Sequence, residues 1–150
     1  TTYFIVMDAD GQHPPRIVSS IFSKLASGYD IVIASRETVE PEWPLLRRGI
    51  SHLGSILGKV SLAVRGVSVW QHDILSGFFG VRTEFWQEMV EKASGSHFRR
   101  AGYKCLFDFL KLIGRDTNIA AVPYIFATRK ADSSKICWRI CAEYIRAILS

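Results

Sequence analysis

Tyr3-Phe4-Ile5-Val6-Met7-Asp8-Ala9-Asp10-Gly11-Gln12-His13-Pro14-Pro15 is the stretch whose reading decides the fold. Five apolar strand formers in a row stop abruptly at Asp8, which reads as a strand buried on both faces, as in a parallel sheet. Pro14-Pro15 suits the first turn of a helix. Ile17, Val18, Ile21, Phe22 and Leu25 then recur at the spacing of one helix face, and Gly28 is a natural stop. Ile31-Val32-Ile33-Ala34 is a second buried strand, ended by Ser35-Arg36. Strand, helix and strand in this order form a βαβ unit, with its two strands expected to be parallel.

Working outward, residues 37–46 read as a loop, with two prolines and three glutamates in ETVEPEWPLL. A helix is expected from Arg47 to Val64, with Ile50, Leu53, Ile56, Leu57 and Val60 on its inner side. Phe78–Val81 is a short strand followed by a helix through Phe85, Met89 and Val90. Cys105 to Ile113 has helical spacing. Ile119 to Phe126 is strand-like, and Pro123 makes it an edge or irregular strand. With no internal repeat and no linker, residues 1–150 are expected to form one α/β domain, a mainly parallel sheet flanked by helices. In the last segment, 134–150, Lys135, Arg139, Glu143, Arg146 and Ser150 make one narrow polar stripe. Ile136, Trp138, Ile140, Tyr144, Ile145, Ile148 and Leu149 fill the rest of the circumference. Such an amphipathic helix either packs on its own domain or meets a protein partner or membrane surface.

Composition bounds the function. A chain of 150 residues can bury a core without disulfides, and 48% hydrophobic with 22% charged residues excludes a disordered chain. Nineteen Lys and Arg against fourteen Asp and Glu give +5, which suits an anionic partner such as nucleic acid, nucleotide or phosphate-bearing lipid. Three cysteines without metal-ligand spacing point to a reducing compartment rather than a disulfide framework. No run approaches the roughly 20 apolar residues of a membrane span. The chain opens directly on a strand, so no signal peptide is expected.

The chemistry gathers after the first strand. Asp8 and Asp10, released at a strand's carboxyl edge, can both turn into the crevice where open parallel sheets bind ligands. Hard oxygen donors of this kind, with the Gln12 amide oxygen nearby, suit Mg²⁺ or Mn²⁺ shared with a diphosphate. The plainer role for Asp10 is to cap the next helix. His13 reads as a loop or cap residue rather than a metal ligand, and His52, His72 and His97 have no paired spacing. Cys105, Cys137 and Cys141 read as small core residues. Trp43, Trp70 and Trp86 are core candidates, while Trp138, beside Lys135 and Arg139, has the surroundings of an interfacial aromatic.

Met7-Asp8-Ala9-Asp10-Gly11-Gln12-His13-Pro14-Pro15 closely resembles the M-D-A-D-L-Q-H-P-P segment of family 2 glycosyltransferases of the dolichol-phosphate mannosyltransferase type. Further resemblances follow in the family's order. Asp30–Arg36 is similar to D-I-V-I-G-S-R, Arg48–Ser51 to R-x-x-I-S, Asp73–Phe79 to D-P-x-S-G-F-F, and Gly102-Tyr103-Lys104 to G-Y-K. Val122-Pro123-Tyr124 with Phe126 and Arg129 resembles V-P-Y-x-F-x-x-R, and Ser134-Lys135 the S-K that follows. The chain departs from the family at Gly11 (Leu), Arg16 (Glu), Asp108 (Glu), Ala121 (Glu) and Asp132 (Gly). Family members open with a further βαβ portion carrying a P-x-x-N-E type strand that holds the nucleotide base. This sequence starts at the D-x-D strand, so it is expected to be an N-terminally truncated catalytic domain.

The resemblance implies a GT-A, Rossmann-like nucleotide-diphospho-sugar transferase fold and inverting transfer of mannose from GDP-mannose to dolichyl (polyprenyl) phosphate. It implies Mg²⁺ or Mn²⁺ on Asp10 and Gln12, with Asp8 supporting the metal or touching the sugar and ribose, so that Asp8 and Asp10 are the catalytic pair. Arg129 and Lys135 are implied at the donor diphosphate, Arg36 and Ser76 at the acceptor phosphate, with Ser35, Gly77 and Ser134 in support. It also implies a membrane-associated enzyme on a cytoplasmic face, that of the endoplasmic reticulum or of a prokaryotic plasma membrane, docked through helix 134–150. A membrane-anchoring subunit would be a further partner. A polyprenyl-phosphate glucosyltransferase using UDP-glucose, and a non-catalytic fragment that only binds a membrane or partner, are the alternatives. Nucleic-acid binding has only the +5 charge in its favour.

Overall fold

β-Branched and aromatic residues build four strands, and a computed structural model of the chain shows how they pair; it describes residues 2–9, 11–39, 45–93, 105–126 and 144–148. The elements are β1 (Tyr3–Val6), α1 (Ile17–Ala26), β2 (Ile31–Val39), α2 (Leu45–Val64), β3 (Phe79–Arg82), α3 (Thr83–Lys92), α4 (Cys105–Leu110) and β4 (Ile119–Phe126). Gly28, at φ +104°, takes the chain out of α1 in a left-handed turn that an L side chain would oppose.

The sheet order is β1-β3-β2-β4, and the sheet is mixed rather than mainly parallel. β3 is antiparallel to both β1 and β2, and only β2 and β4 pair in parallel. The cause is the loop before Phe79, which returns the chain against the sheet's direction and inserts β3 into the βαβ unit. β1 and β2 therefore run the same way, as expected, but are not neighbours. β1 is also an edge of the described sheet, so its side chains are half-buried instead of enclosed on both faces. β4 forms the other edge, where Pro123 sits opposite Ser35 without a donor to offer. β2 runs past Ser35 and Arg36 to Val39, with an irregularity between Arg36 and Thr38.

β2 has a core on each face, because alternate residues of a strand point oppositely. Ile31 and Ile33 join Leu62, Phe79, Val81, Phe85, Phe107 and Phe109 on one side. Val32 and Ala34 join Ile21, Leu25, Phe78, Val122 and Tyr124 under α1 on the other. Asp30 locks the strand ends, accepting from Arg82 Nη2 at 2.5 Å and from the Asn118 backbone at 3.1 Å.

α2 is turned the other way from the expected one. Leu53, Ile56, Leu57 and Val60 point outward, Leu53 being 59% exposed and Val64, on the same stripe, 83%. The side chain of Ile50 lies outside the described residues. Packing at the opposite side explains the orientation: a Cβ on Gly58 would overlap the Tyr144 hydroxyl and come within 2.7 Å of Ile74 Cδ1. Residues without bulk let the helix approach the core, so Gly54, Gly58 and Leu62 face inward and the larger aliphatics are left outside. The helical segment 144–148 seals that inner side. Tyr144 donates to the Gly54 carbonyl at 2.9 Å, and Ser61 donates to the Ile148 carbonyl at 3.1 Å. Residues 134–143, most of the expected amphipathic helix, lie outside the described residues, as do Trp43, Trp138, Cys137 and Cys141. Trp86 stacks on Phe109 as a core residue, whereas Trp70 is largely exposed.

Candidate active site at the carboxyl end of the sheet

β1, β2 and β4 all end at the same edge of the sheet, and β3 begins there, with Val6 and Ile33 both opposite Phe79. Every described residue of the expected site lies at this edge, where parallel strands release their chains toward ligands.

Asp8 follows β1 by two residues, and its side chain is 55% exposed. Across from it is Gly77, in the loop that leads into β3. A Cβ there would overlap the Asp8 carboxylate where it stands, so any larger residue would push that carboxylate aside. Behind Asp8 the chain turns inward, and Gln12 and His13 are buried. The turn passes through Gly11 at φ +77°, so the family's leucine could not be copied here without strain, although a Cβ would meet nothing within 4 Å. His13 Nε2 lies 3.4 Å from Asp8 Oδ2, and His13 Nδ1 lies 2.9 Å from the Tyr124 hydroxyl. Phe78 packs edge-on against the same imidazole. The N-cap of α1 is Arg16, with no side-chain capping bond, so of the two roles expected for His13 it takes that of the loop residue.

Arg36 extends from β2 to Asp73 and is held by both carboxylate oxygens, Nε at 2.6 Å and Nη2 at 3.1 Å. Burial opposes the charge on this guanidinium. The hydrogen bond and the negative charge of Asp73, with a smaller contribution from Tyr124, outweigh that and push its pKa above the usual value. The site therefore keeps a fixed cation. Ser35 Oγ accepts from the Asp73 backbone N–H at 3.4 Å. Ser76 is buried; its hydroxyl is 2.8 Å from the Ala34 carbonyl, and it accepts from the Phe78 N–H at 3.1 Å. These bonds tie the 73–78 loop to β2 and so fix Gly77 against Asp8.

Asp10, Arg129, Ser134 and Lys135 lie outside the described residues. Among the described residues no three His, Cys, Asp or Glu side chains gather as a metal cluster. The donor set around the D-x-D turn is nonetheless chemically suited to a hard cation, since Asp8, Asp10 and Gln12 all offer oxygen. Three residues of this site were given no part in it by sequence: His13, read as a loop or cap residue, Asp73 and Tyr124. Each lies inside a motif quoted above, but only their contacts across the sheet reveal what they do.

A family model for glycosyl transferase family 2 matches residues 1–107. The chain belongs to glycosyl transferase family 2. It is 34% identical over 150 residues to a dolichol-phosphate mannosyltransferase of Pyrococcus furiosus, covering 97% of this chain and 39% of that protein. With the dolichol-phosphate mannosyltransferase of Mycosarcoma maydis the identity is 30%, covering 97% of this chain and 47% of the relative. A polyprenol monophosphomannose synthase of Mycolicibacterium smegmatis is 30% identical over 137 residues, covering 88% of this chain and 48% of that protein. The chain thus spans less than half the length of these relatives. The expected family membership holds, and the α/β architecture agrees with it.

Proposed function

We propose that this family 2 glycosyltransferase chain carries the catalytic portion of an enzyme that moves mannose from GDP-mannose to a dolichyl or other polyprenyl phosphate, with inversion. The observation that carries the reading is the exposed Asp8 carboxylate seated against Gly77, at the sheet edge that also holds the fixed cation Arg36. The names of the relatives supply the sugar and the lipid class.

An oxygen of the acceptor phosphate attacks the anomeric carbon. As that bond forms, the bond from carbon to the donor diphosphate breaks, and GDP leaves with its electron pair. The nucleophile is already anionic, so no strong general base is needed. The difficulty is charge, because two phosphate groups approach one carbon. Asp8, Asp10 and Gln12 would hold Mg²⁺ or Mn²⁺, which when bound supplies positive charge to the departing diphosphate. Arg129 and Lys135 contact that diphosphate, Arg as a fork and Lys as a point charge. Arg36 orients the acceptor phosphate, with Ser35 and Ser76 holding the loop beside it and Gly77 and Ser134 in support.

An acceptor with a lipid tail supports a place at a membrane surface, and we assign the enzyme to the cytoplasmic face, where a nucleotide-sugar donor would meet it. The outward apolar stripe of α2 and the exposed Ile145 of segment 144–148 supply surface of the right character. Among the described residues no helix is long and apolar enough to cross a membrane. Such surfaces, the segment 134–150 with its apolar sequence, and an anchoring subunit are the means of docking that this reading assigns.

The test is transfer of radiolabelled mannose from GDP-mannose to dolichyl phosphate by the full-length protein, with Mn²⁺ present. Labelled lipid product is expected, falling to background with EDTA and in Asp10→Ala and Arg129→Ala. Transfer of glucose from UDP-glucose in its place would overturn the sugar assignment, and undiminished turnover in Asp10→Ala would overturn the site.

A further inference from the structure

We propose that His13 and Tyr124 are a positioning pair that aims the Asp8 carboxylate, a role that rests on the transferase reading above. A carboxylate only accepts hydrogen bonds, so the proton facing Asp8 must be on His13 Nε2. In the proposed arrangement the imidazole is neutral and Nδ1 accepts from the Tyr124 hydroxyl, which lies 2.9 Å away. The three side chains form one directed chain, Tyr124 to His13 to Asp8, that fixes a single tautomer of the ring.

The burial gradient gives this chain its use. Tyr124 is 3% exposed, the His13 side chain 4% and the Asp8 side chain 55%. Two enclosed groups stand behind a carboxylate that opens to solvent. Gly77 sets how deep the carboxylate can sit, and His13 sets its rotation, because a short Asp side chain without a second contact has several rotamers open to it. The Nε2–Oδ2 separation is 3.4 Å, at the long end of the hydrogen-bond range. Phe78 and Tyr124 confine the imidazole from two sides, with ring centroids at 5.2 and 5.7 Å, so the ring cannot swing away. Tyr124 lies on β4, five residues before Arg129 in sequence. The pair therefore ties the D-x-D turn to the strand that leads toward the residues assigned to the donor diphosphate.

The experiment uses the full-length protein with two independent readouts. Long-range ¹⁵N–¹H spectra of the histidine rings report the tautomer of His13 without any turnover. A single Nε2–H form is expected in the wild type, giving way to a mixture in Tyr124→Phe; a mixture in the wild type, or an unchanged single form in Tyr124→Phe, overturns the pair. Steady-state transfer at saturating Mn²⁺ is the second readout. In Tyr124→Phe, kcat should fall about tenfold with KM for dolichyl phosphate unchanged, the pattern of a reacting group left misaimed. His13→Gln, which keeps a donor near the Nε2 position, should retain several times the kcat of His13→Leu. If His13→Leu does not fold, His13→Gln against Tyr124→Phe and the wild type carries the comparison. Equal kcat in all folded variants overturns the proposal. A wild type that is inactive with GDP-mannose defeats the transferase reading and with it the catalytic role, while the spectra still decide whether the pair exists.

Discussion

The Asp8 carboxylate occupies the space that a side chain on residue 77 would need. Gly77 is thus the floor of the candidate site, and its lack of a Cβ is a requirement of the neighbour rather than of its own backbone. Gly77→Ala should leave the fold in place and displace Asp8, lowering kcat by about a hundredfold, since shifts near 1 Å at a reacting centre have effects of that order. Transfer kinetics beside a thermal unfolding curve would check it. A variant equally active and equally stable would show that Asp8 moves aside without consequence.

Arg36 and Asp73 form a two-point ion pair whose side chains are 21% and 15% exposed. Removing the carboxylate strands a mostly enclosed cation. Asp73→Ala should therefore destabilise the protein by about 2 kcal/mol in urea unfolding, less than for a fully buried pair because water still reaches both groups. Arg36→Lys keeps the charge but loses the fork, and should raise KM for dolichyl phosphate more than KM for GDP-mannose.

Gly80 lies in β3 directly beneath α1. A Cβ there would come within 2.5 Å of Ile21 Cγ2 and 2.9 Å of Leu25 Cδ1. Both neighbours are fully enclosed, so the helix has to shift. Gly80→Ala should cost about 1–3 kcal/mol of stability, the usual range for overpacking, as read by chemical denaturation.

His72 supplies a pH test. Burial, and secondarily the charge of Lys59, lowers its pKa below the ordinary 6.5, and its Nδ1 has no hydrogen-bond partner among the described residues. The folded chain thus favours the neutral ring, while the unfolded chain binds the proton more readily. Stability from this group is full above pH 6.5 and declines as pH falls through 6.5 toward the folded value. The loss of stability between about pH 7.5 and about pH 5.5 should be smaller in His72→Gln than in the wild type, as measured by urea unfolding at both pH values.

Local patterns were legible where a single segment carried the information. The strand 3–6, the helix 17–26 and its stop at Gly28, the helix ending at Val64 and the edge character of 119–126 were all readable from spacing and from Gly and Pro. The face of α2 was not. Periodicity locates an apolar stripe, but whether the stripe or the glycines opposite meet the core depends on what packs there, here Tyr144, Ile74 and Phe107. The same limit hid His13, because a histidine before two prolines resembles a loop residue until Tyr124 arrives from the far edge of the sheet.

By itself the sequence determined the elements, the family and the presence of two aspartates at a strand's end, because propensity, turn chemistry and motif spacing act over a few residues. Only the tertiary structure decided that β3 enters between β1 and β2, that Gly77 makes room for Asp8, and that Asp73 claims Arg36. Those outcomes depend on chain segments tens of residues apart competing for the same space and the same hydrogen bonds, and no local pattern records who wins.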